Sequence, residues 1–309
     1  IAASKELKVD ANGDNWLLLI SAAIAGTAGK AAVGAGLTTT VSLGNTIASV
    51  GKGAQLTSNG SAITVNAEYV EKLTTVLIST GISISGTAAA AIGNVLVTKA
   101  VTHALVGEGA TLTGKTDVSV TAKGDSWLLS IATSLAGAAQ NAGAATISVI
   151  VALRDVKAQV DKGATLDAQT GAALVKAVGE DWMLSLVLTA AAAGTNAISG
   201  MLPVTVGESK VRAILSDGDA ANYVTMMGGD AAGVIANLDS HNYIVAGNAA
   251  GSGANAIGGV VDTAVFSNTV NAYVGNYARI STRTGAHGSG IEIPNREKRR
   301  RGITVSATS

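Results

Sequence analysis

Short runs in which an apolar residue alternates with a hydroxyl residue recur along the chain, among them Ile82-Ser83-Ile84-Ser85, Val118-Ser119-Val120-Thr121 and Ile147-Ser148-Val149. A period of two puts successive side chains on opposite faces of an extended backbone, so each run predicts a strand with one buried face. β-Branched residues fill the runs, and Gly, Asn and Asp sit between them as turn formers. Segments that begin at Trp continue the pattern: Trp127, Leu129 and Ile131 share one face, as do Trp182, Leu184, Leu186 and Leu188. Their apolar character predicts that this face, Trp rings included, points inward. The tracts at 136–145 and 190–199 are rich in Ala, the best helix former. Gly and Asn interrupt them every few residues, however, and they have no charged face, so they too read as strand and turn.

The pattern repeats. Gly13-Asp14-Asn15-Trp16-Leu17-Leu18 returns as Gly124-Asp125-Ser126-Trp127-Leu128-Leu129 and as Gly179-Glu180-Asp181-Trp182-Met183-Leu184. In phase with it, Gly53-Ala54-Gln55-Leu56 returns as Gly109-Ala110-Thr111-Leu112 and Gly163-Ala164-Thr165-Leu166, with a worn copy at Tyr277-Ala278-Arg279-Ile280. Two departures stand out: Lys72-Leu73 where Trp is expected, and no clear Gly-Ala-x-Leu copy between Ala220 and Asp230. The unit is about 55 residues long and occurs about five times, the signature of a solenoid whose units stack on one another. With coils of roughly twenty-odd residues, about 12 to 15 rungs spaced about 4.8 Å apart would make a rod on the order of 60–70 Å long.

Composition narrows the class. The 309 residues include 38 Gly and 57 Ala but only 3 Trp, 5 Tyr and 1 Phe, so the interior must be narrow enough for small aliphatic side chains to fill. Charged residues make up 14% and Pro is found twice, against a disordered linker. Lys plus Arg equals Asp plus Glu at 21 each, which leaves no overall field to attract nucleic acid. Five basic residues nevertheless cluster between Arg296 and Arg301. With no Cys, disulfide scaffolds, thiol catalysis and Cys-ligated metals are excluded. Trp127 to Leu153 contains no charged residue, and Leu73 to Thr98 and Trp182 to Gly207 contain at most one each, windows long enough for a bilayer. Regular Ser/Thr alternation and the lack of an evident aromatic belt argue against spanning helices, and the chain is expected not to span a membrane. The opening at Ile1 and the strand pattern at Ile303-Thr304-Val305 suggest a segment of a longer chain.

The string from Asn268 through Tyr273 and Val274 to Ala278 resembles the repeat core of leukotoxin-like, filamentous-haemagglutinin-type bacterial adhesins. Arg154 to Ala164 and Lys99 to Ala110 resemble it too, as do the Gly/Ala/Asn tracts that precede them. The resemblance implies an all-β, right-handed parallel β-helix in an extracellular or surface-displayed, filamentous virulence protein exported by type V secretion through an outer-membrane exporter. No catalytic residue set comes with that family.

Chemical motifs are sparse. His103, His241 and His287 lack a metal-ligand spacing. Asp155, Asp161 and Asp167 are six apart, and paired carboxylates can run sugar chemistry, but on a solenoid they read as solvated turn residues. Asp217-Gly218-Asp219 lacks the Gly-rich nonapeptide of calcium-binding rungs, and Gly251-Ser252-Gly253 lacks the strand–helix context of a dinucleotide fingerprint. Exposed Trp rings would stack on sugars, but the expected inward parity assigns them to the core. Residues 294–302 read as a basic loop insertion in a single β-helix covering 1–309. The expectation is therefore no catalytic, cofactor-binding or metal-binding residues, no cofactor, and a non-enzymatic adhesive stalk. Its partners would be host-cell or matrix glycan or protein, or another copy of itself. A β-helical polysaccharide-active enzyme is the alternative.

Overall fold

The computed structural model describes residues 1–283 and 302–309; the basic run and all of the loop expected at 294–302 except Gly302 lie outside the described residues, as does His287. Strands follow one another in a fixed cycle. The first rung is β1 (Ala2–Ala3), β2 (Leu7–Thr27) and β3 (Ala31–Val50). The second is β4 (Gln55–Ser58), β5 (Ile63–Ser83) and β6 (Thr87–Val106), and the third β7 (Thr111–Gly114), β8 (Val118–Ala138) and β9 (Asn141–Val160). The fourth is β10 (Thr165–Ala168), β11 (Ala172–Ala193) and β12 (Asn196–Leu215). The fifth is β13 (Val224–Gly228), β14 (Ala231–Ser252), β15 (Asn255–Val260) and β16 (Thr263–Val274), before β17 (Ala278–Thr282) and β18 (Gly302–Thr308) begin a sixth. Each strand pairs in parallel with its counterpart in the next rung, giving three stacked sheets and a parallel β-helix.

Rung length departs from the expectation. Leu7 pairs with Ile63, Ile63 with Val118 and Val118 with Ala173, so one whole repeat of 55 or 56 residues is a single rung. The described residues therefore form five rungs and the start of a sixth, not a dozen. At about 3.3 Å per residue a 20-residue strand is about 66 Å long, and five steps of about 4.8 Å stack to only about 24 Å. The body is longest along its strands and short along the stacking axis, the reverse of the expected rod.

Two sequence signals read as turns are mid-strand positions instead. Gly124 and Gly179 lie inside β8 and β11, facing inward, where the opposite sheet comes close. A Cβ on Gly124 would sit 2.7 Å from Val156 Cγ2, and one on Gly179 2.8 Å from Val211 Cγ2. Glycine there accommodates a close approach without breaking the strand. The true turn is the Gly-Ala-x-Leu motif, in which Gly53, Gly109 and Gly163 adopt φ of +68°, +67° and +70°. The next residue's N–H closes the turn, as from Ala110 to the Gly107 carbonyl (3.1 Å). Tyr277 holds the same place in the worn copy with φ +57°, a conformation that costs a side-chain-bearing residue about 1–2 kcal/mol.

Inside, composition changes along the strands. At the end closed by the short sheet, Val, Ile, Leu and Ala ladders form the largest core, with Leu112, Leu166 and Met226 stacked in register. Further out Leu73, Leu96, Leu128, Ile150 and Met183 form a second cluster. Beyond it the facing positions become hydroxyl and amide: Thr75 donates to Ser130 (3.2 Å), Asn94 to Ser130 (2.8 Å) and Thr189 to Thr146 (2.7 Å). Small residues, Ala90, Ala136, Ala142, Ala144, Ala191 and Ala197, let the two long sheets meet at the arch. No helix is present among the described residues, so the Ala tracts are strand and arch.

Candidate functional site

Because β8 is unbroken, the parity of its first residues carries to its last. Val118, Val120 and Ala122 point inward, so Ser126, Leu128, Ser130 and Ala132 do too, and Trp127 points out. The Trp rings expected in the core are thus on the outer face. Trp16 is 73% exposed and Trp127 36%. A signal for this lies in the sequence: Asp125 and Trp127 are two residues apart and share a face, and a carboxylate favours the wet one.

Register then builds a column across the rungs. Trp16 pairs with Lys72, Lys72 with Trp127, Trp127 with Trp182 and Trp182 with His241. Trp127 and Trp182 stack at 5.0 Å with planes 5° apart, and Tyr243 continues the aromatic strip 6.5 Å from Trp182. Two residues earlier runs a parallel column of Asp14, Val70, Asp125, Glu180 and Asp239. Lys123 binds Asp125 (2.6 Å) and approaches Glu68 (3.6 Å), and the Asp125 hydrogen bond raises the ammonium's pKa. His241 Nδ1 lies 3.1 Å from Asp239. Between the two columns is a shallow depression bounded by Lys72, Asp125, Trp127, Glu180 and Trp182. Flat rings beside carboxylates suit stacking on a sugar face with hydrogen bonds to its hydroxyls.

A charged chain is buried behind this face. Asn15 donates to Ser42 (2.7 Å), and Ser42 to Glu71 (2.7 Å), whose side chain is fully buried. Arg154 lies between Glu71 (3.8 Å) and Asp181, which also accepts from Ser209. One guanidinium thus serves two carboxylates from the second and fourth rungs, and the chain ties four rungs together.

The residues singled out for chemistry are dispersed. Asp155 faces outward from β9, bound to Arg212 (2.6 Å) and near His103 (3.3 Å). Burial pushes its pKa up, but the hydrogen bonds from His103 and Arg212 outweigh that and hold it down at about 2. Asp161 accepts from Gln159 (2.5 Å) and Ser216 (3.2 Å) in the turn after β9, and Asp167 pairs with Arg283 (2.7 Å) on the short sheet. The three carboxylates do not converge. Asp217 accepts from the Asn276 amide (2.7 Å) and Tyr273 (2.9 Å), and Asp219 caps the Ala221 and Asn222 amides. Gly251-Ser252-Gly253 is part of the arch at the far end of the fifth rung. Among the described residues no group of three His, Asp or Glu is placed to hold a metal ion. No family model, curated protein or solved structure matches the chain.

Proposed function

We propose that this chain is a non-enzymatic contact module of an exported, surface-displayed adhesin, as its resemblance to filamentous adhesin repeats implies. The observation that carries the reading is the outward aromatic–acidic column on one face, in which the first, third and fourth rungs each present a Trp beside a carboxylate. A repeated surface makes many equivalent weak contacts, and multivalency turns these into avidity. The dispersed carboxylates fit this reading better than a polysaccharide-active enzyme: Asp155 is ionised and held by Arg212 and His103, unsuited to general acid work. The test is binding of the purified chain to glycan and matrix-protein arrays and to host cells. Trp127→Ala with Trp182→Ala is expected to weaken binding by tenfold or more. Polysaccharide turnover that vanishes in Asp155→Asn or Asp161→Asn would establish the enzyme instead.

A further inference from the structure

Both long sheets change character at the aromatic column. Between it and the arch, residues 73–98, 127–153, 182–207 and 242–261 contain no Asp, Glu, Lys or Arg, and the equivalent part of the first rung has only Lys30, in the turn at its tip. The outward side chains in this half are mostly apolar on both faces, interrupted by Thr39, Thr74, Thr80 and Thr133. Ile78 (38% exposed), Leu135 (42%) and Leu188 (38%) lie on one, and Ile147 (48%), Ile198 (58%) and Leu202 (38%) on the other. Hydroxyls and amides that water would solvate, Thr75, Asn94, Ser130 and Ser185, are instead turned inward. Apolar side chains thus dominate the outside, while hydroxyls and amides share the inside with Leu73, Leu77, Ile92, Leu128 and Ile150, a bias opposite to that of a water-soluble sheet and shared by strands that cross lipid.

The charge profile along the strands complements that of a bilayer. Trp127 to the strand end at Ala138 is 11 residues, about 36 Å at 3.3 Å per residue, against a hydrocarbon core of roughly 30 Å. Trp16, Trp127, Trp182 and Tyr243 stand at the boundary, where aromatic rings prefer to sit. Lys72 shares their column, and Asp125, Glu180 and Asp239 come next, on the side away from the arch. On the other long sheet Lys99, Asp155 and Glu208 mark the corresponding border. A single protein partner would cover one face. Two opposite apolar faces that end at the same depth fit a medium that surrounds the arch.

We infer that the charge-free half of the body enters a phospholipid bilayer up to the Trp column, which makes lipid the partner at the contacted surface; the inference rests on the contact-module reading. It replaces the expectation that the chain does not span a membrane, which considered only helices. Open backbone at the first and last rungs is costly in hydrocarbon, so the inserted form stacks edge to edge on further rungs.

The test is flotation of the purified chain with phosphatidylcholine vesicles, with and without phosphatidylserine. The chain is expected to float, and lipids brominated near the headgroup are expected to quench its Trp fluorescence more than lipids brominated at the chain ends. Ile78→Glu with Ile147→Glu, one on each face at matching depth, should cut flotation at least tenfold while circular dichroism and melting stay unchanged. Wild-type chain that remains in the aqueous fraction, or a variant that floats equally, overturns the inference. A dimer in sedimentation that the same variant abolishes, with no flotation, assigns the faces to a second copy. If flotation fails while array and cell binding persist and depend on Trp127, lipid insertion falls and the contact module stands. Flotation without any array or cell binding has the opposite meaning.

Discussion

Trp127 and Trp182 stack with centroids 5.0 Å apart and planes 5° from parallel, on the outer face of adjacent strands. An outward stack contributes little to the core. Trp127→Ala is expected to cost about 0.5–1.5 kcal/mol, the range of an aromatic pair, rather than the 3–5 kcal/mol of a buried ring. In detergent- and lipid-free buffer the emission should be red-shifted and readily quenched by acrylamide. A denaturation midpoint lowered by the larger amount, with blue-shifted emission, would place the rings inside.

Gly124 faces Val156 so closely that a methyl group has no room. Gly124→Ala should therefore destabilise the protein by about 1–3 kcal/mol through overpacking. Adding Val156→Ala should recover part of that loss, since the clash is with its Cγ2. Equal losses in the single and double variants, measured by urea melts, would remove the close approach as the reason for glycine here.

Among the described residues Arg154 is the one cation paired with buried Glu71 and largely buried Asp181. Arg154→Met should cost about 3–5 kcal/mol by leaving two carboxylates without a counter-charge. Glu71→Gln with Asp181→Asn in the same background should restore most of it. Thermal melts that show no restoration would mean the arginine acts by packing alone.

Asp155 has a folded pKa of about 2, below the unfolded value of about 3.9. A depressed carboxylate stabilises the fold fully above the unfolded pKa, and this contribution fades as pH falls through the folded one. The stability gap between wild type and Asp155→Asn should thus be constant above about pH 5 and close between about pH 4 and pH 2. A gap independent of pH would show that the Arg212 and His103 contacts carry no net charge interaction.

Small-angle scattering of the dispersed protein should report a particle near 66 Å along the strands (20 residues at about 3.3 Å) and near 24 Å along the stack (five rungs at about 4.8 Å). A cylindrical scatterer with a rung-sized cross-section and a long axis of a dozen rungs would contradict the 55-residue rung.

Much of this architecture is legible in the residues. Alternation at Val118-Ser119-Val120-Thr121 specifies strand, and the in-phase return of the Gly-Ala-x-Leu motif specifies a parallel stack, because identical residues recur at one place in each rung. Even Tyr277 is recognisable as the substitute at the left-handed turn position. Rung length is not legible, since a 55-residue period fits one long coil as well as two short ones. Gly124 before Asp125 looks like a turn until Val156 is seen opposite it. Asp155, Asp161 and Asp167 look like a set until the fold puts the first on a long sheet, the second in the turn after β9 and the third on the short sheet.

What the sequence determined by itself is the period, the strand state and the left-handed turn, all of which depend on local backbone preference and on neighbours in the ladder. The tertiary structure alone decided which face of the far half is inside. There Leu129 and Ile131 alternate with Ser130 and Ala132, and the nearby charge, Asp125, marks the wet side only because Gly124-Asp125 is strand and not a turn, which the fold decides. The closed end fixes it: Val118 and Val120 are locked into the main core, an unbroken strand preserves their parity, and the hydroxyls are turned in while Trp127 is turned out.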